Sequence, residues 1–121
     1  MIGLGIDAVD IRRFGKVLER TPRIVERLFT EGERSLAARR ADAGAVLAAR
    51  FAVREATMKA LGVGLGAFDF RDVSVQSSTE GQPTLLVDGR AAELARARGV
   101  TQWHVSLTHT DDLAVAVVAA S

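Results

Sequence analysis

The sequence predicts an α+β fold, with helices gathered in the first half and an antiparallel sheet built mostly from the second. Apolar residues recur at helical spacing from Ile11 to Leu61, and that stretch ends in the glycine ladder Gly62, Gly64 and Gly66. After residue 73 the pattern changes to short apolar runs separated by turn residues, as in Glu80-Gly81-Gln82-Pro83 and Thr110-Asp111-Asp112. Early helices followed by late hairpins define the class. The 121 residues fit one domain, 1–121, with no repeat, linker or low-complexity segment.

Residues 2–9 read as a buried strand. Asp10 is placed to cap a helix whose Ile11, Phe14, Val17 and Leu18 form one stripe. Thr21-Pro22 begins a further helical piece, since proline is tolerated in a first turn. Thr30-Glu31-Gly32-Glu33 has the form of a capping box and opens a helix to about Arg40. A break at Asp42–Gly44 precedes the longest helix, roughly Ala45 to Leu61, which Gly62 stops. Val73–Ser77 and Thr84–Val87 read as strands. Residues 88–98 read as a helix burying Ala92, Leu94 and Ala95, and Trp103–Thr108 pairs with Leu113–Ala119.

Composition excludes several chemistries. With no cysteine, there is no disulfide, thiolate zinc site or cysteine nucleophile. The opening Met-Ile-Gly-Leu-Gly-Ile-Asp lacks a basic region and makes a poor signal peptide, and no apolar run approaches the ~20 residues of a membrane helix. A soluble cytoplasmic protein is expected. The formal charge is only +1, yet residues 12–50 carry ten Arg/Lys against five acids. A basic segment on a near-neutral chain fits an acidic partner, and a solvated arginine-rich helical surface accounts for it equally.

Five features carry the chemistry. Glu55 and Lys59 stand at i and i+4 of one helix, side by side, as a salt bridge or as part of a phosphate site. Ala52, Ala56 and Ala60 surround them, allowing either close packing or close approach of a ligand. Asp7 lies in an apolar strand, where an uncompensated carboxylate is costly, and Asp10 is better placed for capping. A hard cation shared by Asp7 and Glu55 supplies the compensation and puts Lys59 beside a bound phosphate. The glycine ladder follows a helix C-terminus rather than preceding a helix, so it is neither a dinucleotide fingerprint nor a Walker loop. His109 ends the core-like face of its strand, beside the turn. Arg50 lies about 140° around the helix from Glu55, so one helix cannot aim both at one ligand.

Gly5-Ile6-Asp7, then Arg50-Phe51-Ala52 through Glu55, Lys59, Gly62 and Gly64, then His104-Val105-Ser106 with Thr108-His109 occur in that order. Together they resemble the holo-acyl-carrier-protein synthases, small 4′-phosphopantetheinyl transferases of fatty-acid biosynthesis. The resemblance spans essentially the whole chain. It implies coenzyme A as substrate, an apo acyl carrier protein as partner, and a 4′-phosphopantetheinyl transferase-like fold assembling as a homotrimer with sites between subunits. It implies a serine of the carrier attacking the β-phosphorus, with release of 3′,5′-ADP. Asp7 and Glu55 match the family's magnesium ligands, and Lys59 matches the residue beside the phosphates. The catalytic pair is then Glu55 and Lys59, with Glu55 or a metal-bound water taking the serine's proton.

By the same resemblance, Arg50 and His109 hold the 3′-phosphate of the coenzyme, and Gly62, Gly64 and Pro83 line its site. Arg13, Val17, Arg20 and Arg23 fall on the helical segment that docks the acidic carrier. Two departures stand out: Arg54 where the family usually has lysine, and Val63 where threonine is common. A catalytically silent coenzyme- or carrier-binding relative is the first rival, opposed by the intact Asp7, Glu55 and Lys59. A nucleic-acid-binding domain is the second, disfavoured by few aromatics and a net charge near zero. Neither a nucleic-acid nor a membrane partner is expected.

Overall fold

The computed structural model describes residues 1–77 and 80–121 of the chain. Ser78 and Thr79 lie outside the described residues. Strand β1 (Gly3–Asp10) leads into α1 (Ile11–Arg20), α2 (Ile24–Leu28), α3 (Glu31–Ala38) and the long α4 (Ala43–Leu61). A 3-10 turn at Phe70–Asp72 then opens β2 (Val73–Ser77) and β3 (Pro83–Val87), followed by α5 (Gly89–Ala97), β4 (Trp103–His109) and β5 (Leu113–Ala120).

β5 lies between β1 and β4 in a three-stranded antiparallel sheet, while β2 and β3 form a separate hairpin. The first strand of the chain therefore pairs with the last, Gly3 opposite Ala120 and Asp7 opposite Ala116. Helix α4 packs across the inner face of this sheet, where Ala114, Ala116, Val118 and Ala120 are fully buried. Being apolar on nearly every side, α4 is enclosed by the sheet and by α1, α3 and β2.

Small residues decide how closely β1 and α4 meet. A Cβ built on Gly5 would lie 1.8 Å from the carbonyl oxygen of Ala56, and one on Gly3 would lie 1.8 Å from that of Ala60. Only glycine permits this approach. Ala52, Ala56 and Ala60 thus serve close packing of helix on strand, the choice that composition had left open.

The caps follow the sequence. The Asp10 carboxylate accepts from the Arg13 amide at 2.9 Å, so Asp10 caps α1 and leaves Asp7 free of that task. Thr30 and Glu33 form the expected capping box. Gly62 ends α4 at φ +69°, and Val63 N–H donates back to the Met58 carbonyl.

Three expectations need correction. β1 is not buried on both faces: it is an edge strand, with Leu4 and Ile6 each 59% exposed. In α5 Ala95 is buried as expected, but Leu94 is only half-buried and the other buried residue is Ala91 rather than Ala92. And α4 starts at Ala43, running straight through Gly44.

Helix α5 takes its cap from outside its own segment. Asp88 makes no side-chain cap, and the Asp72 carboxylate instead accepts from the amides of Arg90 and Ala91. Asp72→Ala is expected to cost about 1 kcal/mol and to lower the melting temperature by a few degrees. Asp88→Ala should leave the melt unchanged, and thermal denaturation of both variants checks the assignment. No helix among the described residues is long and apolar enough to cross a membrane.

Candidate active site

Asp7 sits on the inner face of β1, two residues after Gly5, and the glycine contact brings it against α4. Lys59 of α4 reaches back across that contact. Its Nζ donates to the Ile6 carbonyl at 2.9 Å and lies 3.3 Å from the Asp7 carboxylate. The ion pair is therefore Lys59–Asp7, between helix and strand, rather than the helical Glu55–Lys59 bridge that spacing alone allows.

Glu55 stands one turn away and is half-buried. Burial, then the negative charge of Asp7, push its carboxyl above the ordinary range, and Lys59 offsets only part of this. Two carboxylates that repel each other beside one ammonium form a site with unmet demand for positive charge. Among the described residues no group of three or more His, Cys, Asp or Glu gathers anywhere. A pair of carboxylates suits a hard divalent ion, which takes its remaining ligands from water and phosphate oxygens.

A cavity of about 710 Å³ opens beside this pair. Asp7 and Glu55 lie at its edge, while Phe14, Phe51, Phe70 and Leu28 give it an apolar wall. The three phenylalanine rings form a ladder, with centroids 5.0 Å apart for Phe14–Phe51 and 5.8 Å for Phe51–Phe70. Of the residues assigned to carrier docking, Arg13 and Val17 line the cavity, whereas Arg20 and Arg23 are exposed outside its wall. Leu65, between Gly64 and Gly66, also borders it; Gly62 and Gly64 themselves do not.

A second cavity, of about 220 Å³, lies on another side of α4. It gathers Arg50, Pro83 and His109, together with Arg40. The two linings share no residue, as the angle between Arg50 and Glu55 requires. Arg50 is only 8% exposed. Its Nη1 donates to the Val46 carbonyl at 3.4 Å, and its Nε has no hydrogen-bond partner among the described residues. Arg50 also lines the cavity, which sets a cationic side chain against that space.

The departures from the resembled family resolve differently. Arg54 is fully buried beneath the site. Its guanidinium donates to Glu33, to the Phe70 carbonyl at 2.8 Å and to the Arg50 carbonyl at 3.2 Å, and stacks over Phe29. Glu33 in turn accepts from the Val75 amide at 3.3 Å. Arg54 is thus a structural residue tying α4 to α3 and β2. Val63 is half-buried and packs against the core.

Sequence reasoning missed the phenylalanine ladder and Arg40. The signal for the ladder was present in Phe51, which adjoins Arg50. Phe14 and Phe70 carried none, because their convergence is tertiary.

The fold and the site together define a small transferase class. Residues 3–118 match the family described as the 4′-phosphopantetheinyl transferase superfamily, and the chain belongs to it. Within that class it is similar to the holo-[acyl-carrier-protein] synthases. It is 48% identical to the one from Kocuria rhizophila, over 99% of this chain and 92% of that protein. Among solved structures, the holo-[acyl-carrier-protein] synthase of Neisseria meningitidis superposes with a TM-score of 0.90 at 25% identity, covering 100% of this chain and 98% of that one. The synthase of Bacillus anthracis, in complex with CoA (3′,5′-ADP), gives 0.81 at 31% identity, covering 98% and 95%.

Proposed function

We propose that this single-domain protein transfers 4′-phosphopantetheine from coenzyme A to a serine of an apo acyl carrier protein, in the cytoplasm, for fatty-acid biosynthesis. One observation supports this above the rest. Asp7 and Glu55 line one cavity, with Lys59 paired to Asp7, while Arg50, Pro83 and His109 line another. A pyrophosphate-bearing substrate with a distant third phosphate asks for two such places.

In this reading Asp7 and Glu55 hold Mg²⁺, which when bound neutralises the pyrophosphate oxygens. Lys59 stands beside the phosphate that becomes the leaving group, where its ammonium stabilises developing charge. Glu55, with its raised carboxyl affinity for protons, is the chain's own candidate to take the serine proton. Arg50 and His109 receive the 3′-phosphate, and Gly62, Gly64 and Pro83 border the coenzyme. Arg13, Val17, Arg20 and Arg23 dock the acidic carrier, which makes association salt-sensitive.

The two cavities lie on different sides of α4, so one coenzyme is served by two chains. The outer face of the sheet supports assembly as a homotrimer. Exposed Leu4, Ile6 and Ala8 of β1 pair with half-buried Ala119, Val117 and Val115 of β5, giving a continuous apolar face. Light scattering is expected to give three chains per particle; a fully active monomer would remove the shared-site reading.

The test of function is direct. Protein, coenzyme A, Mg²⁺ and apo carrier are mixed, and the carrier is weighed by mass spectrometry. A phosphopantetheine adduct is expected, and its absence on several carriers overturns the proposal. Arg50→Ala should raise KM for coenzyme A roughly 10- to 100-fold with kcat little changed. An unaltered KM would take Arg50 out of the coenzyme site.

A further inference from the structure

Two of the cationic residues lining the smaller cavity already face an anion of the protein itself, Asp42. Arg40 Nε donates to Asp42 Oδ1 at 2.8 Å and Arg40 Nη2 donates to Oδ2 at 3.0 Å, a two-pronged grip. The same Oδ2 lies 3.5 Å from His109 Nε2. His109 Nδ1 is turned away, donating to the Thr110 carbonyl at 3.1 Å, so Nε2 is the nitrogen left to meet an anion. Arg40 and His109 both line the cavity, and the anion they face is Asp42. Arg50 alone among the cationic residues there has no such neighbour within bonding distance.

Asp42 is not needed where it stands for the helix it precedes. Its side chain makes no capping bond to α4, and only its backbone carbonyl takes part, accepting from the Val46 amide at 3.0 Å. Arg40 above all holds its carboxyl below the usual range, so it is ionised at neutral pH. The Arg40–Asp42 pair is solvent-exposed, and exposed pairs are weak enough for a doubly charged phosphate to displace.

We propose that Asp42 is a specificity-setting residue of the phosphate pocket: its carboxylate occupies Arg40 and His109 in the free protein and competes with a bound 3′-phosphate for them. The inference rests on the reading that this cavity receives the 3′-phosphate. Its consequence is a deliberately loosened grip, so that 3′,5′-ADP leaves after transfer. A ligand lacking the 3′-phosphate is indifferent to Asp42.

Calorimetry on the full-length protein tests this with coenzyme A, dephospho-coenzyme A, 3′,5′-ADP and AMP. Asp42→Asn is expected to bind coenzyme A and 3′,5′-ADP roughly fivefold more tightly, the scale of one exposed charge contact. Affinity for dephospho-coenzyme A and AMP should not move. Unchanged or weaker binding of the 3′-phosphorylated ligands overturns the proposal, as does equal tightening of all four. Arg50→Ala serves as the independent control for the pocket. If the wild type prefers coenzyme A over dephospho-coenzyme A and Arg50→Ala loses that preference, the pocket stands and only the role of Asp42 is at stake. If the wild type shows no preference, the pocket reading fails and takes this inference with it.

Discussion

Glu55→Gln is expected to lower phosphopantetheine transfer by about a thousandfold and, in the same protein, to raise thermal stability at neutral pH. The first effect follows from removing one of two carboxylates that face the reacting phosphates, and with it a proton acceptor worth ~10²–10⁴ in rate. The second follows from the environment of Glu55. Burial and the charge of Asp7 oppose its ionisation, so its affinity for protons is higher folded than unfolded. A carboxyl raised in this way contributes stability at low pH and loses it as pH rises through its folded value. Glutamine, which never ionises, escapes that loss. The stabilisation should therefore be present at neutral pH, fade as pH falls through the elevated value, and vanish in acid. Melting curves against pH in a chelator check it without reference to activity. Near-normal turnover would end the catalytic assignment, and an equal or lower melting temperature at neutral pH would end the electrostatic one. Asp7→Asn should also abolish transfer, while releasing Lys59 from its ion pair.

Arg54→Ala and Glu33→Ala are expected to be the most destabilising changes short of the glycines, at about 3–5 kcal/mol each. Either leaves a charge stranded in a fully buried place. The pair also serves the backbone, since the Phe70 carbonyl accepts from Arg54 and the Val75 amide donates to Glu33. For that reason the double change Glu33→Leu with Arg54→Met should not return to wild-type stability, although swapping a buried ion pair for apolar groups is often neutral. The Thr30 and Val75 amides would lose the carboxylate they donate to. Chemical denaturation of the three variants decides it, and a double variant as stable as the wild type would show that the backbone bonds carry little. Arg54→Lys should fall between, because one ammonium cannot span the acceptors that a planar guanidinium reaches.

How much of this was legible beforehand varies by residue. The Asp10 cap, the Thr30–Glu33 box and the Gly62 stop are local, with donors and acceptors within a few residues, and each appeared where the sequence placed it. The separation of Arg50 from Glu55 was legible from helical angle alone. The pairing of Lys59 with Asp7 was not, because it depends on how β1 lies over α4. Glu33 shows the limit most clearly. Sequence spacing explains its bond to the Thr30 amide, but nothing local announces that the same carboxylate also holds Arg54. Arg54 stands out in the sequence only as a departure from the family's lysine; its complete burial against Glu33 depends on tertiary packing. The exposure of β1 was equally hidden, since an apolar strand reads the same whether solvent or another chain covers it.

The contact of Gly3 and Gly5 with α4 has a consequence for how this protein can change over time. Asp7 rides on the same strand, so its distance from Glu55 and Lys59 is set where main chain touches main chain. Apart from a few phenylalanines and the Glu33–Arg54 pair, the interior is mostly alanine, valine and leucine, whose exchange at constant volume is usually tolerated. Random substitution should therefore divide sharply. Much of the interior can drift with little loss of chemistry, while two positions that bear no side chain at all admit no replacement.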